Sequence, residues 1–338
     1  MAGPRPRHPR HADSGDPLTL AVVNLDTFAQ LTADGLFRGA AFGLLGVAFA
    51  LILGVTGRFH FAFGAFFTLS AYMAFTFKDR GVVPPVVDVT LPFWPAALLG
   101  VLVVTATAVG VERFAYQPLA RRAGANAMLA IFVASLGIGI ALENLIRLLW
   151  SSSSQPYFGP SQERWELWGM TFLNFDVYQL VLYTALAVLL AAVLRFTPLG
   201  RMVRATRSNP DLAHTIGINA KHVYMIVFAI GSFLAGVVGV WRGLQFAVEP
   251  AMGTRPVIYA IVVAFLAGTS SSPIRIFLTG IAVALLEQWA SMWLSVRWTQ
   301  TSVFVLLVGY LAVLSFRQSA ISARFRFPGV RRLSTPEA

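Results

Sequence analysis

The sequence predicts an all-α, polytopic membrane helical bundle of about eight to ten transmembrane helices, with a short cytoplasmic helix between two of them. Three observations lead there. The chain has 338 residues, of which 57% are hydrophobic. Only 12% are charged, about half the ~25% usual in soluble domains, so there is too little polar material to cover a water-facing globule. Apolar runs of roughly the ~20 residues that a bilayer requires recur along most of the chain. A soluble enzyme, a disordered chain and a fibrous repeat are excluded.

Taken in order, residues 1–34 form a polar, Pro-rich, disordered start followed by a weakly apolar interfacial segment that carries Asp26 and Asp34. No apolar run follows the first arginines closely, so a cleaved signal peptide is not expected. The transmembrane domain covers 35–317, and 318–338 form a basic cytoplasmic tail. Hydropathy places spans at 36–55, 59–77, 92–111, 127–149, 177–196, 222–244, 256–272, 275–295 and 300–316. The first two are separated by a tight turn, and 59–77, with His60 and Gly64 near its start, has the look of a broken or re-entrant helix. Trp150, Trp165 and Trp168 around the longest external loop suit an interfacial aromatic belt, although a short amphipathic surface segment is the favoured reading. Gly39 and Gly43, then Ala235, Gly239 and Gly243, recur at the spacing that lets membrane helices approach closely.

Charge sets the orientation. The formal net charge is +11, and Lys78 and Lys221 are the only lysines. Fifteen basic residues collect on the side that holds Arg58, Arg113, Arg121, Arg122, the 195–221 cluster and Arg275; eight collect on the other. The richer side is cytoplasmic, so the first span starts outside and the tail ends inside. The arginines lie between apolar runs and form no basic soluble face, so nucleic acid is not an expected partner, whereas anionic lipid is. No cysteine is present, which excludes disulfides and thiolate metal sites. Neither lysine sits in a phosphate-binding Gly-Lys-Ser/Thr loop, and no HExxH or other metal or catalytic constellation occurs. The spans hold few acids, whereas gradient-coupled carriers use buried ionisable groups, so the energy source is expected to lie outside this chain.

The internal loop 197–221 is the most informative stretch. Asn209 is a good N-cap, Pro210 suits the first helical position, Asp211 favours the first turn and Gly217 suits the stop. These define one short helix of about 210–216, with Leu212 and Ile216 on one side and Ala213 and Gly217 on another. Such a helix either docks into a groove of a partner or simply connects two spans.

The string TPLGRMVRATRSNPDLAHTIGIN resembles the coupling region of permease subunits in branched-chain amino-acid ABC transporters. GVTGRFHFAFGAFFTLSAY, ERFAYQPL and the turn TSSSPIR resemble further segments of that family in the same order, over about 36–316. The resemblance implies a multi-pass protein of the bacterial inner (plasma) membrane that pairs with a second permease subunit, like or unlike. It implies two cytoplasmic ABC ATPases, which carry the ATP and magnesium, no cofactor on this chain, and an external solute-binding protein. It places Arg204, Asn209, Pro210, Asp211, Ala213 and Gly217 in the coupling motif. His60, Phe63 and Ala65 depart from the family's usual Asn, His and Glu, whereas Phe61, Ala62 and Gly64 match. The solute therefore stays open between amino acids, urea or short amides, and other small polar molecules.

The candidate pathway residues are His60, Phe61, Gly64, Asn144 and Glu287. His60 either meets a passing solute or hydrogen-bonds its surroundings. Glu143 pairs with Arg147 at i, i+4, whereas Glu287 has no basic residue at that spacing. The alternative function is a gradient-driven carrier or channel that uses Glu143 and Glu287 as coupling sites.

Overall fold

A computed structural model describes residues 25–78, 91–155, 163–167 and 170–293, with the isolated residues 298, 301, 305, 308 and 309. The expected span 300–316, the tail, the first 24 residues and Trp168 fall wholly or largely outside the described residues. Helix α1 runs Leu25–Thr56, α2 Phe63–Lys78, α3 Phe93–Val111, α4 Gln117–Ala123, α5 Ala127–Trp150 and α6 Asn174–Phe196. They are followed by α7 Pro198–Ser208, α8 Pro210–Thr215, α9 Ala220–Gln245, α10 Thr254–Ala267 and α11 Pro273–Ala290. A small antiparallel hairpin, β1 Arg164–Leu167 with β2 Met170–Leu173, sits before α6. The molecule is a polytopic helical bundle, and among the described residues five helical stretches are long and apolar enough to cross a membrane: 27–56, 93–150, 174–196, 220–245 and 273–290.

Several boundaries differ from the sequence reading. Helix α1 starts at Leu25 and runs without a break through residue 34 into the first expected span. Tertiary contacts hold the extra turns. Gln30 exchanges two hydrogen bonds with the backbone of Thr171 in β2, Phe28 stacks on Trp289, and the indole N–H of Trp289 donates to Thr32. The expected spans 92–111 and 127–149 lie in one helical run, 93–150, joined through a widened turn at Glu112–Tyr116 and bent at Gly124 (φ 53°). Helix α2 begins only at Phe63, because the chain reverses at Gly57 (φ 66°) and stays irregular to residue 62. Trp150 is no interfacial belt residue. It is 2% exposed, packs on Tyr72 and donates to Thr76 Oγ1 at 2.8 Å. Trp165 is exposed.

The core lies between α1, α2, α9, α10 and α11, and small residues bring these helices together. A Cβ on Gly39 would lie 2.6 Å from Ile281 Cα, and one on Gly43 2.5 Å from the carbonyl oxygen of Phe277. Gly280 reciprocates, since a Cβ there would overlap the backbone of Gly43. Gly239 meets the backbone of Phe67 in the same way, and Ser70 Oγ donates to the carbonyl of Gly236 at 3.0 Å. In lipid, where apolar side chains gain little by leaving one hydrocarbon for another, such close approach supplies the packing energy.

The second irregular stretch, 246–253, links α9 to the short α10. Its backbone is not left unpaired: Val248 bridges Gln155, its carbonyl accepts from the Tyr72 hydroxyl, and Gly253 N–H donates to Thr68 Oγ1. Gly64, at the start of α2, packs directly on Gly253 at the start of α10. Non-helical backbone in a bundle survives in lipid only where other protein groups satisfy it, as they do here.

Candidate functional site

Two helices, not one, fill the internal loop. Helix α7 had no place in the sequence reading, although Pro198 after Thr197 is a helix-start signal and Gly200, Val203 and Thr206 recur at buried helical spacing. It folds straight back on the end of α6. A side chain at Gly200 would overlap the carbonyl of Leu194, and the Arg204 guanidinium donates to that same carbonyl. Arg204 is therefore a clamp between α6 and α7. Arg207, at the far end of α7, lies beside Gly54 at the close of α1. Burial pulls its guanidinium below the usual arginine range.

Helix α8 is built by its caps. The Asn209 side-chain oxygen accepts from Asp211 N–H at 2.9 Å and Leu212 N–H at 3.1 Å, which satisfies two of the amides that a helix start leaves free. At the other end Ile218 N–H donates to the carbonyl of Ala213 at 2.9 Å, and Gly217 N–H to that of His214 at 3.0 Å. This pair of bonds needs a left-handed residue at Gly217, which has φ 84°. Asn219 then caps α9 through Lys221 N–H. Ala213 is 2% exposed and faces the bundle, whereas Leu212 (63%) and Ile216 (71%) project outward. The large aliphatic pair is thus offered to solvent along with Asp211, His214 and Thr215, and the small residue is the anchor.

Next to this helix lies an ionic cluster that the sequence reading did not assemble. Arg58 Nη1 donates to Glu112 Oε1 at 2.7 Å, and neither side chain is more than 12% exposed. The same guanidinium lies 5.0 Å from the centre of the Tyr224 ring, on the second turn of α9. One turn along from Glu112, the Tyr116 hydroxyl is 3.0 Å from His60 Nδ1. Gln117 Nε2 donates to the carbonyl of Lys221 at 3.4 Å. The beginning of α9, directly after α8, is therefore tied to the 57–62 reversal and to the 112–117 turn. The ERFAYQPL segment was the available signal, but Arg58 had been counted only as a topology charge.

The five candidate pathway residues are not gathered into one place. His60 is fully buried among Phe63, Phe66, Tyr116 and Phe228. Phe61 is half-buried beside it, its N–H donating to Ser135 Oγ at 3.2 Å, and Gly64 is held against Gly253. Asn144 lies on an exposed face of α5 and donates to the carbonyl of Ile140. Glu143 pairs with Arg147 one turn on. Glu287, on α11, accepts from the Tyr259 hydroxyl of α10 at 2.7 Å. Among the described residues, no group of three or more His, Asp or Glu is placed to hold a metal ion.

Comparison with known proteins places this geometry. The family described as branched-chain amino acid transport system / permease component matches residues 31–315. The high-affinity branched-chain amino acid transport system permease protein BraD of Pseudomonas aeruginosa is 25% identical over 303 residues, 88% of this chain and 96% of its own. The corresponding permease LivH of Escherichia coli K12 is 26% identical over 295 residues, 85% of this chain and 94% of its own. A probable branched-chain amino acid transport permease protein LivH of Methanocaldococcus jannaschii is 25% identical over 216 residues, 62% of this chain and 64% of its own. No solved structure matches. The chain belongs to the branched-chain amino acid transport system permease family and is a multi-pass membrane protein.

Proposed function

We propose, with family membership as the premise, that this chain forms one half of the translocation pathway of an ABC importer in the bacterial inner membrane. A second permease subunit completes the pathway, and an external solute-binding protein delivers the solute. Branched-chain or other small amino acids are the favoured cargo. The chain itself binds no cofactor; ATP and magnesium belong to two cytoplasmic ATPases.

The observation that carries this reading is the build of α8. Six residues are too few to be stable alone, yet both ends are capped and Ala213 pins the helix to the bundle. The exposed residues include an aliphatic pair, Leu212 and Ile216, on the side richest in arginine and so assigned to the cytoplasm. That is the shape of a rigid knob for a groove in a partner. A push on α8 passes through Gly217–Asn219 into α9, and from Tyr224 to the Arg58–Glu112 pair, which holds the ends of α1 and α3.

The test replaces Leu212 and Ile216 together by Glu in the assembled transporter. Because both side chains are exposed, insertion and yield stay at the parent level, whereas ATPase co-purification and ATP-driven uptake are lost. Parent-level uptake by this variant overturns the docking role of α8.

A further inference from the structure

At the end of the bundle opposite α8, an open cleft of about 210 Å³ lies between α1, α6 and α9. Its walls carry four ionic side chains: Asp34 and Arg38 from α1, Asp176 from the first turn of α6, and Arg242 from the last turn of α9. Phe37, Leu173 and Phe246 supply apolar wall, and Gln179 and Gln245 complete it. The four ions do not satisfy one another. The ion pairs among the described residues are Arg58–Glu112 and Arg147–Glu143, and no two of these four are in ion-pair contact. Asp34 and Arg38 even stand at the i, i+4 spacing that suits a helical ion pair and do not form one.

The neighbouring bonds hold the ions apart. Asp176 accepts from Leu173 N–H at 3.0 Å and from Gln245 Nε2 at 2.9 Å, so its carboxylate is fixed. Asp34 takes one bond, from Gln30, on Oδ1. The Arg242 guanidinium carbon lies over the Phe246 ring, 3.8 Å from its centre. Gln179 is turned away to the carbonyl of Phe37. Asp176 lies at the N-terminal end of α6 and Arg242 at the C-terminal end of α9, the ends whose helix dipoles favour a negative and a positive charge respectively. The result is a cleft in which positive and negative side chains stand apart without direct ion-pair contact, with an apolar patch between.

We infer that this cleft is an entry site for a zwitterionic α-amino acid with a short aliphatic side chain, its ammonium on Asp34 and its carboxylate on Arg38 and Arg242. At about 210 Å³ the open cleft is of a size for one small amino acid and not for a folded peptide. The inference rests on the importer reading for its direction of travel, but the site itself stands on the cleft. Asp34 and Arg38 are the ligand-touching residues, and Asp176 and Gln245 are positioning residues.

The test measures equilibrium binding of radiolabelled leucine to the full transporter assembly, without the solute-binding protein, against two truncated competitors: 4-methylpentanoate, which lacks the ammonium, and isopentylamine, which lacks the carboxylate. Leucine binds at least about tenfold tighter than either, since each competitor leaves a charge-assisted contact unmade. Asp34→Asn erases the preference over 4-methylpentanoate and keeps the preference over isopentylamine; Arg38→Gln does the reverse. A merely structural role would weaken all three ligands alike, and that result, or unchanged ratios, overturns the site. Loss of solute-binding-protein docking with leucine selectivity intact assigns the charges to that protein instead and also overturns it. ATP-driven leucine uptake by the parent is measured on the same preparation: if it is present and the ratios fail, the cleft is wrong and the importer reading stands; if it is absent, the importer reading fails.

Discussion

Helices α2 and α5 are written in nearly the same alphabet and end in opposite surroundings. Both are apolar runs with few charges. Eleven of the sixteen residues of α2 are buried, including Gly64, Thr68 and Ser70, whereas four of the twenty-four in α5 are. Along α5, Leu129, Val133, Ile140 and Leu148 are all more than half exposed. Hydrocarbon and protein interior reward the same side chains, so apolarity places a helix in the membrane without saying what it will face. What separates the two is steric. On α2 the backbone is met by the backbones of α9 and α10 at Gly239 and Gly253, whereas Gly137 of α5 has open space where a Cβ would go.

That contrast can be broken or sharpened by substitution. The largest effect is expected for Gly239→Leu, whose Cβ alone would overlap the carbonyl of Phe67. It should cost about 3 kcal/mol or more and show as a collapse of the detergent melting curve. Next comes Glu112→Leu, which strands Arg58 nearly out of solvent. Removing one partner of a buried pair costs about 3 kcal/mol, and the double change Arg58→Met with Glu112→Leu should recover most of it in the same melting assay. Asn209→Ala deletes the cap of α8 at about 1 kcal/mol, a local loss seen as reduced ATP-driven uptake with an unchanged global melt. Smallest is Gly137→Leu on the open face of α5, expected to shift the melt of the single chain by no more than about 0.5 kcal/mol. A large loss there would mean that α5 packs as tightly as α2.

The α8 end of the bundle and the opposite end differ in how far they could be read from the chain. Helix α8 was legible down to its caps, because capping is a matter of a few neighbouring residues: Asn209, Pro210 and Gly217 each act within four positions of themselves. The Glu143–Arg147 pair was legible for the same reason. Helix α7 was missed, since its case rests on a fold-back against Leu194 that no local pattern displays. The Arg58–Glu112 pair joins residues 54 positions apart, and the cleft at the opposite end gathers α1, α6 and α9. His60 was a candidate by residue type alone, and only packing revealed that it lies within a shell of aromatic rings.

By itself the sequence determined that this chain lives in lipid, where its short capped helix stands, and which family its ordered motifs resemble. Those properties follow from composition, the order of motifs and contacts within a turn or two, all of which are written consecutively. The tertiary structure alone decided where α1 begins, why α2 and α10 are short, which helices turn inward, and how Asp34, Arg38, Asp176 and Arg242 come to face one another unpaired. Each of those depends on two backbones or two charges meeting across the bundle, and in a medium as apolar as the core itself no hydropathy signal marks that meeting in advance.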